Sequence, residues 1–310
     1  MASIVYVSDR HMIEYHRLNG SKAMNFWRLS DKAFTSFTIG DLLFFLDRKE
    51  RKGKEKGVIG YGKLSSIQSM SLQKMWDRYG TQNGYRTKAD FKEAILRANK
   101  NKGIPKRLNC LSLQDVIFFQ GPIFLSEFDL HIPYQLESFA YLTNGKKDIT
   151  TDILRKAKTI GIDVWSSALN DTLSSDQFDQ DLLIHEIADC IKPVYLPLTT
   201  RQRESLRGFV LPMNPLKQCI GIFYSLDRSR LSLYYPVFGL KKDLRQLVMS
   251  RIGQAQIIKT RIESNLNLTV TTYYYGDDLN PFQADIHAVG DNLYTSDSRI
   301  TRTSLSENQG

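Results

Sequence analysis

The order of apolar and polar positions divides the chain into short strands and amphipathic helices. Gly40-Asp41 is a turn signal followed by Leu42 to Leu46, an apolar run of the length of a buried strand. The polar stretch Arg48 to Gly57 then reads as a turn. A second strand, Val58 to Leu64, carries Gly57, Gly60 and Gly62 at near-alternate places. Glycine weakens a strand, so their concentration predicts that a ligand or another backbone comes close there. Leu72, Met75, Trp76 and Tyr79 recur at helical spacing, as do Phe91, Ala94, Ile95 and Ala98. Val116 to Phe119 is a further strand, ending at Gly121-Pro122.

Thr143 to Lys147 is polar and turn-prone, and predicts the boundary between two domains. Beyond it, Ile153, Leu154, Ala157 and Ile160 mark one helix, and Phe178, Leu182, Ile187 and Ile191 another. Four prolines, Pro193, Pro197, Pro212 and Pro215, punctuate a long connection that holds the basic stretch Thr200 to Arg207. Cys219 to Ser225 and Leu231 to Phe238 read as strands joined by a turn at Asp227 to Ser229. Leu244, Leu247, Val248, Ile252, Ala255, Ile258 and Ile262 line one face of a long helix, and Leu268 to Tyr275 is a closing strand. After Asp291 the chain turns to Ser, Thr and Asn, which predicts a disordered tail. The expectation is an α+β protein: domain 1–143, a second α+β domain over 148–290, and a tail from 291 to 310.

Length changes this picture little, since 310 residues suit two ordinary domains. Charge changes it more. Residues 1 to 150 hold 24 Lys and Arg against 15 Asp and Glu, whereas residues 151 to 310 hold 18 of each. Between Arg48 and Arg107 the balance tightens to 17 against 5, a surface suited either to a polyanion or to simple solvation. No apolar run approaches the roughly 18 residues of a membrane span. Met1 to Tyr15 lacks the form of a secretory leader, and Cys110, Cys190 and Cys219 offer neither a disulfide framework nor a CxxC pair. A cytoplasmic protein is expected.

The first half carries a fixed order of short motifs: Asn25 to Ser30 (NFWRLS), Phe34, Phe37, Gly40-Asp41 with Leu42 to Phe45, Gly57 to Gly62, Trp76 to Gly80, and Asn83-Gly84. Over about residues 4 to 142 that order resembles the N-terminal domain of bacterial HNH-type restriction endonucleases, a PUA-like mixed β-barrel of the EVE, YTH and ASCH group. The resemblance implies a nucleic-acid-binding domain that holds a modified base in an aromatic pocket, within a restriction or phage-defence system. Reading such a base in a duplex requires everting it, with stacking and edge hydrogen bonds offsetting the lost pairing. Trp27 with Phe34 or Trp76 would supply the rings, and Asn25 or Ser30 the edge contact. Trp76, on the apolar stripe of its helix, reads better as core, and Trp27 fits pocket and core alike. The binding candidates are Asn25, Trp27, Ser30, Phe34, Gly60, Lys52, Lys54, Lys56, Arg78 and Arg86. PUA-like domains also bind RNA, so an RNA-binding protein is the first alternative.

The second half holds no nuclease signature of the HNH type, because His185 and His287 stand alone. No acid-then-ExK strand occurs there either. A worn outline of a GIY-YIG opening remains: Gly221 to Tyr224, then Tyr235 to Gly239, then Asp243-Leu244-Arg245. It makes Tyr224, Arg245 and Glu263 the catalytic candidates of a second alternative, a metal-dependent endonuclease using Mg²⁺. A plain hairpin on an amphipathic helix explains the same letters. Otherwise no cofactor is expected; the partners are DNA and a separate nuclease or helicase subunit, with no membrane. Trp165 and His185 read as packing and surface residues.

Overall fold

A computed structural model describes residues 3–30, 32–52, 55–133, 135–144, 147–163, 165, 168, 173–207, 209, 211–276 and 278–294, the side chains of 48–52, 144, 173 and 174 excepted. It is a mixed α+β protein of two compact units, Met1–Leu182 and Leu183–Gly310.

Unit 1 is built on a six-stranded sheet. Its strands are β1 (Ile4–Val7), β2 (Ala23–Arg28), β3 (Leu42–Lys52), β4 (Glu55–Met70), β5 (Leu108–Ile123) and β6 (Phe139–Tyr141), in the order β2-β5-β4-β3-β1-β6. Only β1 and β3 are parallel, with Ile4 opposite Leu43. The sheet curls on itself: Phe26 of β2 meets Tyr6 of β1 at 5.0 Å and Phe45 of β3 at 6.2 Å between ring centroids, although β2 stands at one end of the order. Apolar side chains therefore fill an inside core of Phe26, Phe45, Leu64, Leu113 and Phe118. The opposite faces of the same strands feed a second core through Phe44, Val58, Tyr61, Ile117 and Phe119. Alternation along a strand produces this division, because successive side chains point to opposite faces.

Helix α1 (Arg10–Leu18) starts at Asp9, whose carboxylate accepts from the Met12 amide at 3.0 Å. Helices α2 (Leu72–Tyr79) and α3 (Lys88–Ala98) connect β4 to β5 and close the inside core with Met75, Phe91, Ala94 and Ile95. Between them Gly84 turns the chain at φ 85°, and a Cβ there would lie 2.4 Å from Met12 Cγ. A short hairpin, β7 (Thr143–Asn144) and β8 (Lys147–Asp148), occupies the polar stretch at which the sequence predicts the domain boundary. The boundary falls later. Helix α4 (Thr150–Ile160) and the first half of α5 (Leu173–Ile191) place Ile153, Leu154, Ala157, Phe178 and Leu182 in the second core of unit 1. The polar hairpin is thus a surface turn inside one unit, and apolar continuity sets the division.

Unit 2 has a five-stranded sheet in the order β13-β12-β11-β10-β9. β9 (Asn214–Pro215), β10 (Phe223–Asp227) and β11 (Arg230–Val237) are antiparallel, and Arg228 turns the β10–β11 hairpin at φ 52°. β12 (Thr269–Gly276) lies parallel to β11, as does β13 (Asn292–Leu293) to β12. Between β11 and β12 runs α7 (Leu244–Leu266), whose Val248, Ile252, Ala255, Ile258 and Ile262 pack on Leu231, Leu233, Tyr235 and Tyr274. The other face carries Tyr234, Phe238 and Tyr275 under Phe209 and Leu211, which follow α6 (Thr200–Leu206). Helix α8 (Gln283–Ala288) precedes β13. Asp291 is buried and accepts from Tyr274 Oη at 2.7 Å, so 291–294 belong to the fold rather than to the expected tail. Residues 295–310 lie outside the described residues.

Candidate nucleic-acid interface

The candidate site is a cavity of about 700 Å³ in unit 1, bounded by Tyr6, Trp27 and Arg28 within and by Arg97 and Lys100 at the end of α3. Its volume is that of a small-molecule site. Strand β2 positions both principal side chains. Trp27 is 7% exposed and meets Phe91 of α3 edge-on at 5.6 Å. Arg28 is 5% exposed, and its Nη2 donates to the Lys32 carbonyl at 2.7 Å while the guanidinium lies 4.3 Å over the Phe34 ring. Arg28 Nε and Nη1 and Trp27 Nε1 are buried with no protein acceptor in hydrogen-bonding geometry. The Tyr6 hydroxyl lies beside the guanidinium; burial raises its pKa and Arg28 pulls it down.

Several other polar groups of the cavity are engaged, and Glu137 is exposed. Asp9 Oδ1 accepts from Met12 N and from the Tyr85 hydroxyl at 3.0 Å each. Asp47 lies 3.7 Å from Arg10 Nη1, and Ser8 Oγ donates to the Tyr6 carbonyl at 3.1 Å. Ser30 Oγ accepts from Lys32 N at 3.2 Å. The segment that supplies Arg97 and Lys100 to the lining carries, over residues 72 to 107, ten Lys and Arg against three Asp and Glu, and every one of those cations except Lys88 is exposed.

Of the residues expected from sequence, Trp27 and Ser30 line this cavity. Asn25 does not: it is fully buried and donates through Nδ2 to Asn83 Oδ1 at 2.8 Å, tying β2 to the turn after α2. Phe34 packs on Phe37 and Phe139, and Trp76 on Phe91, so neither forms a sandwich with Trp27. Gly60 faces protein; a Cβ there would lie 2.4 Å from the Ile117 carbonyl oxygen, and the neighbouring backbone is what comes close. Lys56 is buried and donates to the Leu136 carbonyl at 2.7 Å, which removes it from the surface. Arg78 and Arg86 are exposed, on α2 and just before α3. Lys54 and the side chain of Lys52 lie outside the described residues.

Unit 2 does not assemble the nuclease candidates. Arg245 stands in the first turn of α7 and Glu263 eighteen residues on, about 27 Å along the helix axis at 1.5 Å per residue. Glu263 accepts from the Val270 amide at 3.0 Å, holding the helix-to-strand corner, and Tyr224 packs against the unit 2 core. His185 is buried rather than at the surface, and Trp165 is 60% exposed rather than packed, donating to the Leu18 carbonyl at 3.2 Å. Among the described residues no three His, Cys, Asp or Glu gather as metal ligands, and no helix is long and apolar enough to cross a membrane.

The residues that sequence reasoning missed are Arg28, Tyr6, Arg97 and Lys100. Only Arg28 had a visible signal, being next to Trp27 in NFWRLS. The chain matches no family model and no curated protein. Among solved structures it is similar to ASCH from Zymomonas mobilis, at 14% identity and a TM-score of 0.36, over 52% of this chain and 96% of that one. A single-substitution variant of the same protein aligns at 16% identity and a TM-score of 0.36, over 49% of this chain and 96% of the other. No residue's role follows from so distant a likeness.

Proposed function

We propose that unit 1 binds nucleic acid, with DNA as the first ligand, and receives one everted nucleotide in the Tyr6–Trp27–Arg28 cavity. The observation that carries this reading is the union, in one place, of an indole wall and unpaired buried donors with the exposed cations that begin at Arg97 and Lys100. Phosphate contacts supply salt-sensitive affinity and position, whereas the cavity supplies discrimination. The motif order in residues 4 to 142 supports a modified base in duplex DNA, within a restriction or phage-defence system, as the setting.

The test is binding of the full chain to matched modified and unmodified duplexes and to RNA, from about 50 to 200 mM salt. If roughly five phosphates are neutralised, log affinity falls with log salt at a slope of about −4.5. Trp27→Phe, which keeps most of the volume and loses the indole N–H, is expected to weaken discrimination between duplexes and leave the salt slope unchanged. Absence of binding to every nucleic acid at the lowest salt would overturn the proposal.

A further inference from the structure

Arg28 presents a physical problem that the fold does not solve. A guanidinium is always charged, and one removed from water without a counter-ion is costly. Arg28 is 5% exposed, and no carboxylate lies within ion-pair distance of it among the described residues. Among the described residues its partners are neutral: Nη2 donates to the Lys32 carbonyl, and the Tyr6 hydroxyl lies beside the guanidinium. The buried carboxylates that share its cavity are occupied: Asp9 caps α1 and takes the Tyr85 hydroxyl, and Asp47 faces Arg10, while the third, Glu137, is exposed to solvent and lies outside ion-pair distance of Arg28. Ser8 has committed its proton to the Tyr6 carbonyl.

Among the buried side chains of the cavity, the unspent hydrogen-bonding capacity therefore consists of donors: Arg28 Nε, Arg28 Nη1 and Trp27 Nε1. Such a set fits a ligand that brings acceptors and negative charge, since charge-assisted bonds from a guanidinium to an oxyanion are the strong ones. Phe34 and the Lys32 carbonyl hold the guanidinium in place before any ligand arrives. That fixed position removes most of the ordering cost of binding.

We infer that Arg28 is an oxyanion-binding residue, and that the ligand of the cavity supplies the counter-ion Arg28 lacks. The inference rests on the proposed nucleotide site and specifies its chemistry. An oxyanion can come from the nucleotide's phosphate or from a carboxylate carried on the base, as in a 5-carboxyl pyrimidine. A methyl-bearing base adds neither.

The experiment measures affinity of the full chain for a nucleoside, its 5′-monophosphate, a 5-carboxyl nucleoside and inorganic pyrophosphate, with thermal stability recorded alongside. The wild type is expected to bind at least one oxyanion-bearing ligand tenfold or more tightly than the plain nucleoside. Preference for the monophosphate identifies the phosphate as the source, and preference for the 5-carboxyl nucleoside identifies the base. Arg28→Met should erase the preference while melting no lower than wild type, because it removes an uncompensated buried charge and puts an apolar chain of similar length beside the Phe34 ring. Arg28→Lys should retain a weakened preference. Equal binding of charged and uncharged ligands, no binding of any of the four, or a preference that survives Arg28→Met would overturn the inference. So would a large loss of melting temperature in Arg28→Met that Arg28→Lys restores, which marks a structural arginine. If pyrophosphate binds through Arg28 but no oligonucleotide binds at low salt, the oxyanion site stands and the nucleic-acid reading falls.

Discussion

His16 lies fully buried on the inner side of α1, and burial pushes its imidazole down from 6.5 to about 4, with the Gln82 backbone offsetting only part. The unfolded chain therefore takes up a proton that the folded one refuses between those two values. Stability is complete above about pH 6.5 and declines as pH falls toward 4, by about 3 kcal/mol in all. Melting curves across that window are expected to slope downward on acidification, and His16→Gln should flatten the slope; an unchanged slope would assign it to other groups. Residues of this kind show where sequence reading stops. Trp27 was legible as a dual-purpose aromatic, and it is both core and cavity wall. Lys56 and Asn25 look like contact residues in a string of letters, yet each spends its polar atoms inside the protein. Burial depends on partners many positions away, Leu136 and Asn83, and no local pattern announces them.

Elements were easier to read than their limits. The helices around Met75, Phe91, Leu154 and Val248 appear where apolar periodicity puts them, whereas β4 and β5 run sixteen residues each, well beyond their apolar centres. Polar residues such as Ser65, Gln68 and Asn109 extend them, because a ladder needs only a partner backbone. The two strands are not evenly matched. Register shifts fall near Gly60 and Gly62, where β5 crowds β4. Gly60→Ala would drive a Cβ against the Ile117 carbonyl, so the strands must separate. Overpacking of that sort costs about 1–3 kcal/mol, readable as a lower urea midpoint with an unchanged slope. The same change at Gly253, in α7, where nothing lies within 4 Å of a Cβ and the backbone is helical, meets no such wall. In unit 2 the hairpin and helix expected around Tyr224 and Arg245 are present, and the length of α7 is what separates Arg245 from Glu263.

For the whole molecule, charge asymmetry was visible in the letters and the domain boundary was not. The polar run at Thr143 to Lys147 reads as a linker, but apolar residues on both sides of it share one core. A fragment ending at residue 145 would lose Ile149, Ile153, Leu154, Phe178 and Leu182 from that core. At about 1.5–3 kcal/mol for each buried side chain, the loss rivals the 5–15 kcal/mol that holds a typical domain together. Such a fragment is expected to melt far below the full chain, or to aggregate, whereas one carried to residue 191, the end of α5, should keep the cooperative unfolding of unit 1. Calorimetry of the two fragments decides it; equal melting temperatures would restore the earlier boundary.

The parallel pairing of β11 with β12 sets the order in which unit 2 can assemble. The β10–β11 hairpin closes through a tight turn at Arg228 and needs no distant partner. Leu231 and Tyr235, however, meet Val270 and Tyr274 only after the 31 residues between Val237 and Thr269, α7 among them, have been made and folded back. During synthesis the hairpin therefore waits with one edge unpaired and an apolar face uncovered, a state that invites association with other chains. At some five to twenty residues per second, that interval lasts on the order of seconds. Slow translation through α7 lengthens the exposure, so the yield of soluble protein becomes a matter of timing as well as of stability.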